Sequence, residues 1–313
     1  MTTLELEVTQ SLDGCTVKNL LKRELGLSTT LINRLKRTPS GLTVNGQRAF
    51  TNAVLHTGDH LLVDLNSAEQ ATKIEPLALP LDILYEDECL LVVNKSAPLA
   101  CIPSSLSPGE PTLAAGLLHY LGPGASVHLV NRLDRGTSGV LVAAKNAHVH
   151  ELLRRQLHTG AFQRIYLAVC IGAPDPMSGC IDLPINRAPG SAIQRMVDSA
   201  GKPAVTNYRT LRCSGGFSLV ELTPQTGRTH QLRVHMAAIG CPLAGDWLYG
   251  TEDKTLIARP ALHAARLVLT HPLKHTALTL EVELPTDIRK LTERDNHGSI
   301  DISGLGMEHN LLP

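Results

Sequence analysis

Aromatic residues are scarce in this chain: three Phe, five Tyr and one Trp among 313 positions. So few rings exclude a platform that stacks many successive bases, and any nucleic acid held this way offers at most about one or two. The seven cysteines, at positions 15, 89, 101, 170, 180, 213 and 241, include no C-x-x-C pair. An odd, scattered set argues against a disulfide framework or a cysteine-rich zinc site and suits reduced thiols in the cytoplasm. No apolar run approaches the roughly 18 residues of a membrane span. The opening MTTLELEVTQ lacks both the basic start and the apolar core of a signal peptide and alternates in polarity like a strand. Net charge is missing too, 29 Lys plus Arg against 29 Asp plus Glu, so any affinity for a polyanion must come from local patches. A Walker-type glycine loop, a dinucleotide fingerprint, internal repeats and low-complexity tracts are also absent, which removes the commonest phosphate-cofactor chemistries.

Histidine, at fourteen, is plentiful. His230 and His235 would point about 140° apart on one helix and cannot grip a single ion as an i, i+4 pair would. His128, His263, His271 and His275 form no recognisable ligand set with cysteine or carboxylate, so no metal is expected.

What is present begins with 43% hydrophobic content, enough for one large domain and a small one. Over residues 16–25, Val17, Leu20, Leu21 and Leu25 fall at helical spacing, with Lys18 and Lys22 on another face. A second short helix over 29–37 turns Leu31, Ile32 and Leu35 inward and leaves Arg34, Lys36 and Arg37 outside. LTVNGQRAF reads as a hairpin about Asn45-Gly46, and a last strand follows Gly58-Asp59. Residues 13–65 hold seven basic side chains against four acidic ones. A surplus of this size is often only a solvated face.

Residues 66–80 are polar and then proline-punctuated, which reads as a linker. Beyond it come a strand, an acidic turn and a strand (PLDILYEDECLLVVNKSAP), a helix over 111–121 ended by glycines, a helix over 147–158 and the strand QRIYLAVCIG. Residues 217–223 alternate polar and apolar side chains, as a strand does. In TPQTGRTHQLRVHMAAIG, Leu232, Met236 and Ile239 define a helix face, Thr229 is the expected cap, and Gly240 and Pro242 close the helix. Residues 296–313 read as a loosely ordered tail.

The chemistry centres on HLVNRLDRGTSGVLVAAKN, residues 128–146. Arg132 and Arg135 flank Asp134, and opposite charges at contact distance favour an ionised carboxylate, which can attack carbon or steady a cation. Gly136 and Gly139 give backbone freedom for a tight turn, and 140–144 reads as a buried strand. By spacing alone, such an aspartate is more often a turn residue beside solvated arginines. The longer string RLDRGTSG, with its apolar strand and AKN, closely resembles the catalytic motif of the RNA pseudouridine synthases of the RluA family.

That resemblance covers about residues 13–290 and implies an α+β catalytic domain, over 81–295, on a mixed, mostly antiparallel central sheet with the site in its central cleft. It makes Asp134 the catalytic residue, stacks Tyr166 on the target base, pairs Arg228 of TGRTHQLRVH with Asp134, fills the gap left by a flipped nucleotide with Arg132, and lines the base pocket with Leu262 of ALHAARLVL. Arg187 is a candidate phosphate contact, and Asp246 and Tyr249 of GCPLAGDWLYG are structural. No cofactor is implied. Residues 1–65, with helix-helix-GLTVNG and TGDHLLV, resemble the alpha-L RNA-binding module first known from a small-subunit ribosomal protein. On that likeness Lys18, Lys22, Arg34 and Arg37 would hold RNA phosphates.

The sequence departs from the family at Ser96-Ala97-Pro98, where proline and glycine usually follow the lysine, at Asn131, where histidine usually precedes RLD, and at Arg164, a place more often held by lysine. The expected enzyme isomerises uridines in structured RNA, ribosomal in preference to transfer RNA, as a cytoplasmic monomer. Whether Asp134 attacks the ribose, attacks the uracil ring or first takes a ribose proton is left open by sequence. The alternative is a non-catalytic RNA-binding or ribosome-assembly protein on the same scaffold. A glycoside hydrolase would need two paired carboxylates, and only one stands in a distinctive context.

Overall fold

The computed structural model describes residues 2–65, 74–157 and 159–293. Most of the expected linker and the whole expected tail lie outside the described residues. The chain divides into two compact units, residues 1–165 with 264–282 and residues 166–263 with 283–313.

The first unit opens with β1 (Thr3–Glu7), α1 (Val17–Arg23), α2 (Thr29–Leu35), β2 (Leu42–Val44), β3 (Gln47–Arg48) and β4 (His60–Asp64). Both helices start at side-chain caps: the hydroxyl of Thr16 accepts the Asn19 N–H and that of Ser28 accepts the Leu31 N–H, satisfying donors that a first helical turn leaves unpaired. Strands β1, β4, β2 and β3 lie side by side, antiparallel. The Asn45-Gly46 turn has both residues at positive φ, 52° and 77°, as a two-residue type I′ hairpin requires. Leu20, Leu21, Leu31, Ile32, Leu35, Leu42, Leu61 and Val63 belong to one buried cluster.

The chain continues through β5 (Asp82–Glu86), β6 (Leu90–Lys95), α3 (Leu113–Leu121), β7 (His128–Leu129), β8 (Ser138–Ala144) and α4 (Ala147–Gln156), and β9 (Phe162–Ile171) carries it into the second unit. There follow β10 (Ser178–Asp182), β11 (Ile185–Arg187), β12 (Arg195–Val197), β13 (Val205–Ser214), β14 (Phe217–Pro224) and α5 (Gln231–Ala238). Strand β15 (Leu262–Thr270) returns to the first unit, β16 (Ala277–Glu281) completes it, and α6 (Thr286–Thr292) belongs to the second.

In the first unit β15, β8, β6 and β5 are neighbours, with β16 against β15 and β7 against β8. Every residue of β8 is buried, which is why the sequence there is an unbroken apolar run instead of an alternating one. At its second residue, Gly139 has φ +115°, and a Cβ there would overlap the backbone of Ala264. Glycine alone allows β8 and β15 to approach so closely. In the second unit β10, β13, β14 and β9 run antiparallel in that order, and β11 and β12 form a separate ribbon.

The expected helices and hairpin strands recur within a few residues of their sequence bounds, while β7, β12, β16 and α6 were not expected. One cap is different. Thr229 does not start α5: His230 occupies that position in the left-handed region, φ 57°, with no side-chain cap bond.

Helix α4 carries a pH-sensitive element. His148 is buried, and burial, helped by the nearby Arg155, pushes its pKa down to about 4. The folded protein therefore keeps this ring neutral, whereas the unfolded chain takes up its proton near pH 6.5. Stability from this group is fully present above pH 6.5 and is lost as the pH falls from there toward about 4. Urea titrations at pH 7 and pH 4 should show the wild type losing about 3 kcal/mol more than His148→Leu; parallel losses would show that the ring is not held neutral.

Candidate active site

Asp134 lies in the loop between β7 and β8 of the first unit and is half-buried, between buried Leu133 and exposed Arg135. Its loop is tied down residue by residue. The Cys101 thiol donates to the Leu133 carbonyl at 3.1 Å, and the Leu133 N–H approaches the same sulfur at 3.4 Å. The Asp134 carbonyl accepts the Thr137 N–H at 3.0 Å, and the Arg135 carbonyl accepts the Leu99 N–H at 3.0 Å. Behind them Lys95, 1% exposed, extends its ammonium to the carbonyls of Ser96 at 2.9 Å, Leu99 at 2.8 Å and Arg135 at 3.5 Å. A buried ammonium persists only where such acceptors replace its water. The departure at Ser96-Ala97-Pro98 thus forms a loop closed around the Lys95 ammonium.

The Arg135 guanidinium reaches Glu110 at 3.3 Å on the exposed side of the loop, and Arg132 is exposed. Asn131, in place of a family histidine, is buried and accepts the Val142 N–H at 3.0 Å through its side-chain oxygen, so it anchors β8. Cys101 was missed as a support because its partner Leu133 lies 32 positions away, and Lys95 because only one of its three acceptors, Arg135, belongs to the Asp134 loop, 40 positions on.

Tyr166, Arg228 and Leu262 belong to the second unit. Tyr166 sits in β9 opposite Leu222 of β14 and is 7% exposed. Leu262 begins β15 and is buried, its carbonyl accepting from Arg259 at 3.3 Å. Arg228 is exposed, and its Nε–H donates to the Pro203 carbonyl at 2.9 Å. The turn that carries it is organised by Gln231, a buried amide whose oxygen accepts the Arg228 N–H at 2.9 Å and the Thr226 hydroxyl at 2.7 Å. The Gln231 amide nitrogen donates to the Val205 carbonyl and the Thr206 hydroxyl. Thr206 in turn reaches His235 Nδ1 at 2.9 Å, and His235 Nε2 reaches the Leu183 carbonyl at 3.0 Å. That carbonyl can only accept, so the ring proton is on Nε2 and Thr206 donates to Nδ1. Burial pushes the His235 pKa down, which preserves this directed chain of donors at neutral pH. Sequence reading assigned neither Gln231 nor His235 such a part, because the partners lie on three separate segments.

Of the residues expected to meet RNA phosphates, Lys18 and Lys22 are exposed on α1, Arg34 is half-buried on α2, and exposed Arg37 follows that helix. Arg187 is exposed on β11.

Asp87, Cys89 and His271 place ligand atoms within 4.8 Å of one another, so His271 does meet a cysteine and a carboxylate that sequence did not connect to it. Their chemistry does not fit a metal. His271 Nδ1 accepts the backbone N–H groups of Leu273 and Lys274, so its proton is on Nε2, 2.7 Å from Asp87 Oδ2. An ion at Nε2 would have to displace that proton. Burial and the Asp87 carboxylate push the Cys89 thiol pKa up, away from the thiolate a metal takes. Burial also works against ionised Asp87, but the Cys89 and Leu90 N–H groups, Lys274 and the Tyr85 hydroxyl outweigh it and hold that carboxyl well below its usual range. The trio is a hydrogen-bonded clamp.

No described helix is long and apolar enough to cross a membrane. Residues 89–238 match the family described as RNA pseudouridylate synthase. The uncharacterised RNA pseudouridine synthase YjbO of Bacillus subtilis is 40% identical over 277 residues, spanning 88% of this chain and 97% of that one. The ribosomal large subunit pseudouridine synthase D of Escherichia coli K12 is 36% identical over 252 residues, 75% of this chain and 76% of its own. Among solved structures, human RNA pseudouridylate synthase domain containing 4 superposes with a TM-score of 0.54 at 26% identity, over 66% of this chain and 90% of that one. On this extent of identity, with an α+β fold in common, the chain belongs to the RNA pseudouridine synthase family and is an isomerase acting on RNA.

Proposed function

We propose that this enzyme isomerises specific uridines of ribosomal RNA, in preference to transfer RNA, with Asp134 as the nucleophile on a flipped-out nucleotide. The observation that carries the proposal is a half-exposed carboxylate on a loop whose neighbouring backbone groups are bonded on either side of it. Held in this way, a reacting group spends little entropy reaching its attack geometry. The glycosidic bond from ribose to uracil nitrogen breaks, the uracil turns, and the ribose carbon rejoins it at carbon 5, whose hydrogen leaves as a proton while the freed nitrogen gains one. No cofactor is consumed. The family resemblance assigns the part of counter-ion to Arg228, that of stacking on the uracil to Tyr166, the lining of the base pocket to Leu262 and the filling of the gap in the RNA to Arg132. Extruding a base costs a few kcal/mol, less in a loop than in a duplex, so the target uridine lies in looped or locally opened RNA.

In this proposal residues 1–65 form an RNA-holding module, joined through 66–80 to a catalytic domain over 81–295, and the protein works as a monomer in the cytoplasm. Seven free thiols suit a reducing compartment. The ribosomal assignment is supported by the named substrate of the Escherichia coli relative. Purified protein should release tritium from RNA labelled at uracil carbon 5, and mapping should find pseudouridines missing from ribosomal RNA in cells lacking the gene. Losses confined to transfer RNA would overturn the ribosomal assignment.

Replacing Lys18, Lys22, Arg34 and Arg37 together with alanine should weaken RNA binding and lower the slope of log affinity against log salt by up to about 3. Unchanged affinity and slope would show that these four cations contact no phosphate.

A further inference from the structure

We propose that Phe50 is a stacking post for one unpaired base of the RNA, an inference resting on the reading of residues 1–65 as an RNA-holding module. Phe50 is one of only three phenylalanines in the chain, and it stands 61% exposed. Its neighbour Ala49 is 8% exposed, so the small side chain faces the core while the large aromatic faces water, the reverse of what burial favours. The backbone that carries the ring is also held in place. The Ala49 N–H donates to the Leu42 carbonyl, the Phe50 carbonyl accepts the Ala53 N–H, and the Thr51 carbonyl accepts the Lys18 N–H at the start of α1.

Its surroundings select the partner. The Arg48 guanidinium lies 5.6 Å from the ring centroid and donates to the Lys36 carbonyl at 3.2 Å. Lys18, Lys36, Arg37 and Arg48 are all exposed on the segments these bonds join to Phe50. The acids Asp13 and Asp59 of the module are engaged with Thr57 and with His56 and Asn45, respectively. A planar apolar face among exposed cations matches a polyanion that presents flat rings, and an unpaired base offers such a ring while a paired one does not. Arg48 extends the platform, since a guanidinium stacks on bases as well as on aromatics.

The test compares the full-length protein with Phe50→Ala and Phe50→Trp for binding to a hairpin RNA with an unpaired loop and to a fully paired RNA of equal length. Phe50→Ala should weaken the hairpin complex about 5- to 100-fold, leave the duplex complex unchanged and keep the salt slope, while Phe50→Trp retains hairpin affinity. Equal affinity of Phe50→Ala and wild type for the hairpin, or equal losses on both RNAs, would overturn the stacking role. The four-alanine variant separates the two readings. If it loses affinity while Phe50→Ala does not, the module holds RNA without this ring and the stacking role is overturned; if neither changes, the RNA-holding reading has failed and the stacking role with it.

Discussion

Asp134→Asn protein should release no measurable tritium from uracil-labelled RNA under conditions in which the wild type releases it readily. Asparagine keeps the size and shape of the side chain but cannot act as a carboxylate nucleophile, so the expected loss is on the order of 10^4-fold or more, the scale on which removal of a group that bonds to substrate acts. The fold should not suffer. Bonds that tie this loop run from the backbone of residues 133–135 to Cys101, Thr137, Leu99 and Lys95, and these do not need the Asp134 charge. Unfolding midpoints of the two proteins should therefore agree, and RNA binding should persist. Release by the variant at more than about a hundredth of the wild-type rate would remove Asp134 from the role of nucleophile, because general acid–base help alone is worth about 10^2- to 10^4-fold.

The parts of this molecule that were legible in its sequence are those whose physics is local. A hydroxyl at Thr16 or Ser28 caps an N–H three residues on, and Asn45-Gly46 adopts the only backbone a two-residue hairpin of that type accepts. Both interactions close within a few residues, so reading along the chain finds them. The supports of the candidate site close over long distances. Cys101 meets the Leu133 carbonyl across 32 positions, and the one Lys95 acceptor that belongs to the Asp134 loop, the Arg135 carbonyl, lies 40 positions on. Local rules also mislead where a longer-range partner wins: Thr229 is the better cap by composition, yet His230 takes the position while the Gln231 amide secures the donors of this turn. Asp134 itself was reachable only through the length of its motif, since an aspartate between two arginines is by spacing a common turn and one of those arginines is engaged with Glu110.

Asp246→Ala should be the most destabilising single change in the second unit. The carboxylate is fully buried and binds Arg233 through two bonds, Oδ2 to Nε at 2.7 Å and Oδ1 to Nη2 at 2.6 Å, with the arginine side chain 6% exposed. Oδ1 also accepts the N–H groups of Leu248 and Tyr249. Removing it takes the carboxylate from a buried guanidinium, a loss of about 3–5 kcal/mol, readable as a lowered urea midpoint at pH 7. The damage should reach the Arg228 turn as well. Tyr249 lies 5.0 Å from the Arg233 guanidinium, and its hydroxyl bonds both His230 and the Arg195 N–H, so loosening the 246–249 segment frees the residue that opens α5. Turnover in folded Asp246→Ala should accordingly fall even at temperatures where it remains native. The double variant Arg233→Leu, Asp246→Leu removes both charges and should recover most of the lost stability, since an apolar pair of similar volume carries no desolvation cost. A loss under about 1 kcal/mol for Asp246→Ala would mean that water reaches the guanidinium when the carboxylate is gone, and that the pair orients the turn without stabilising the unit.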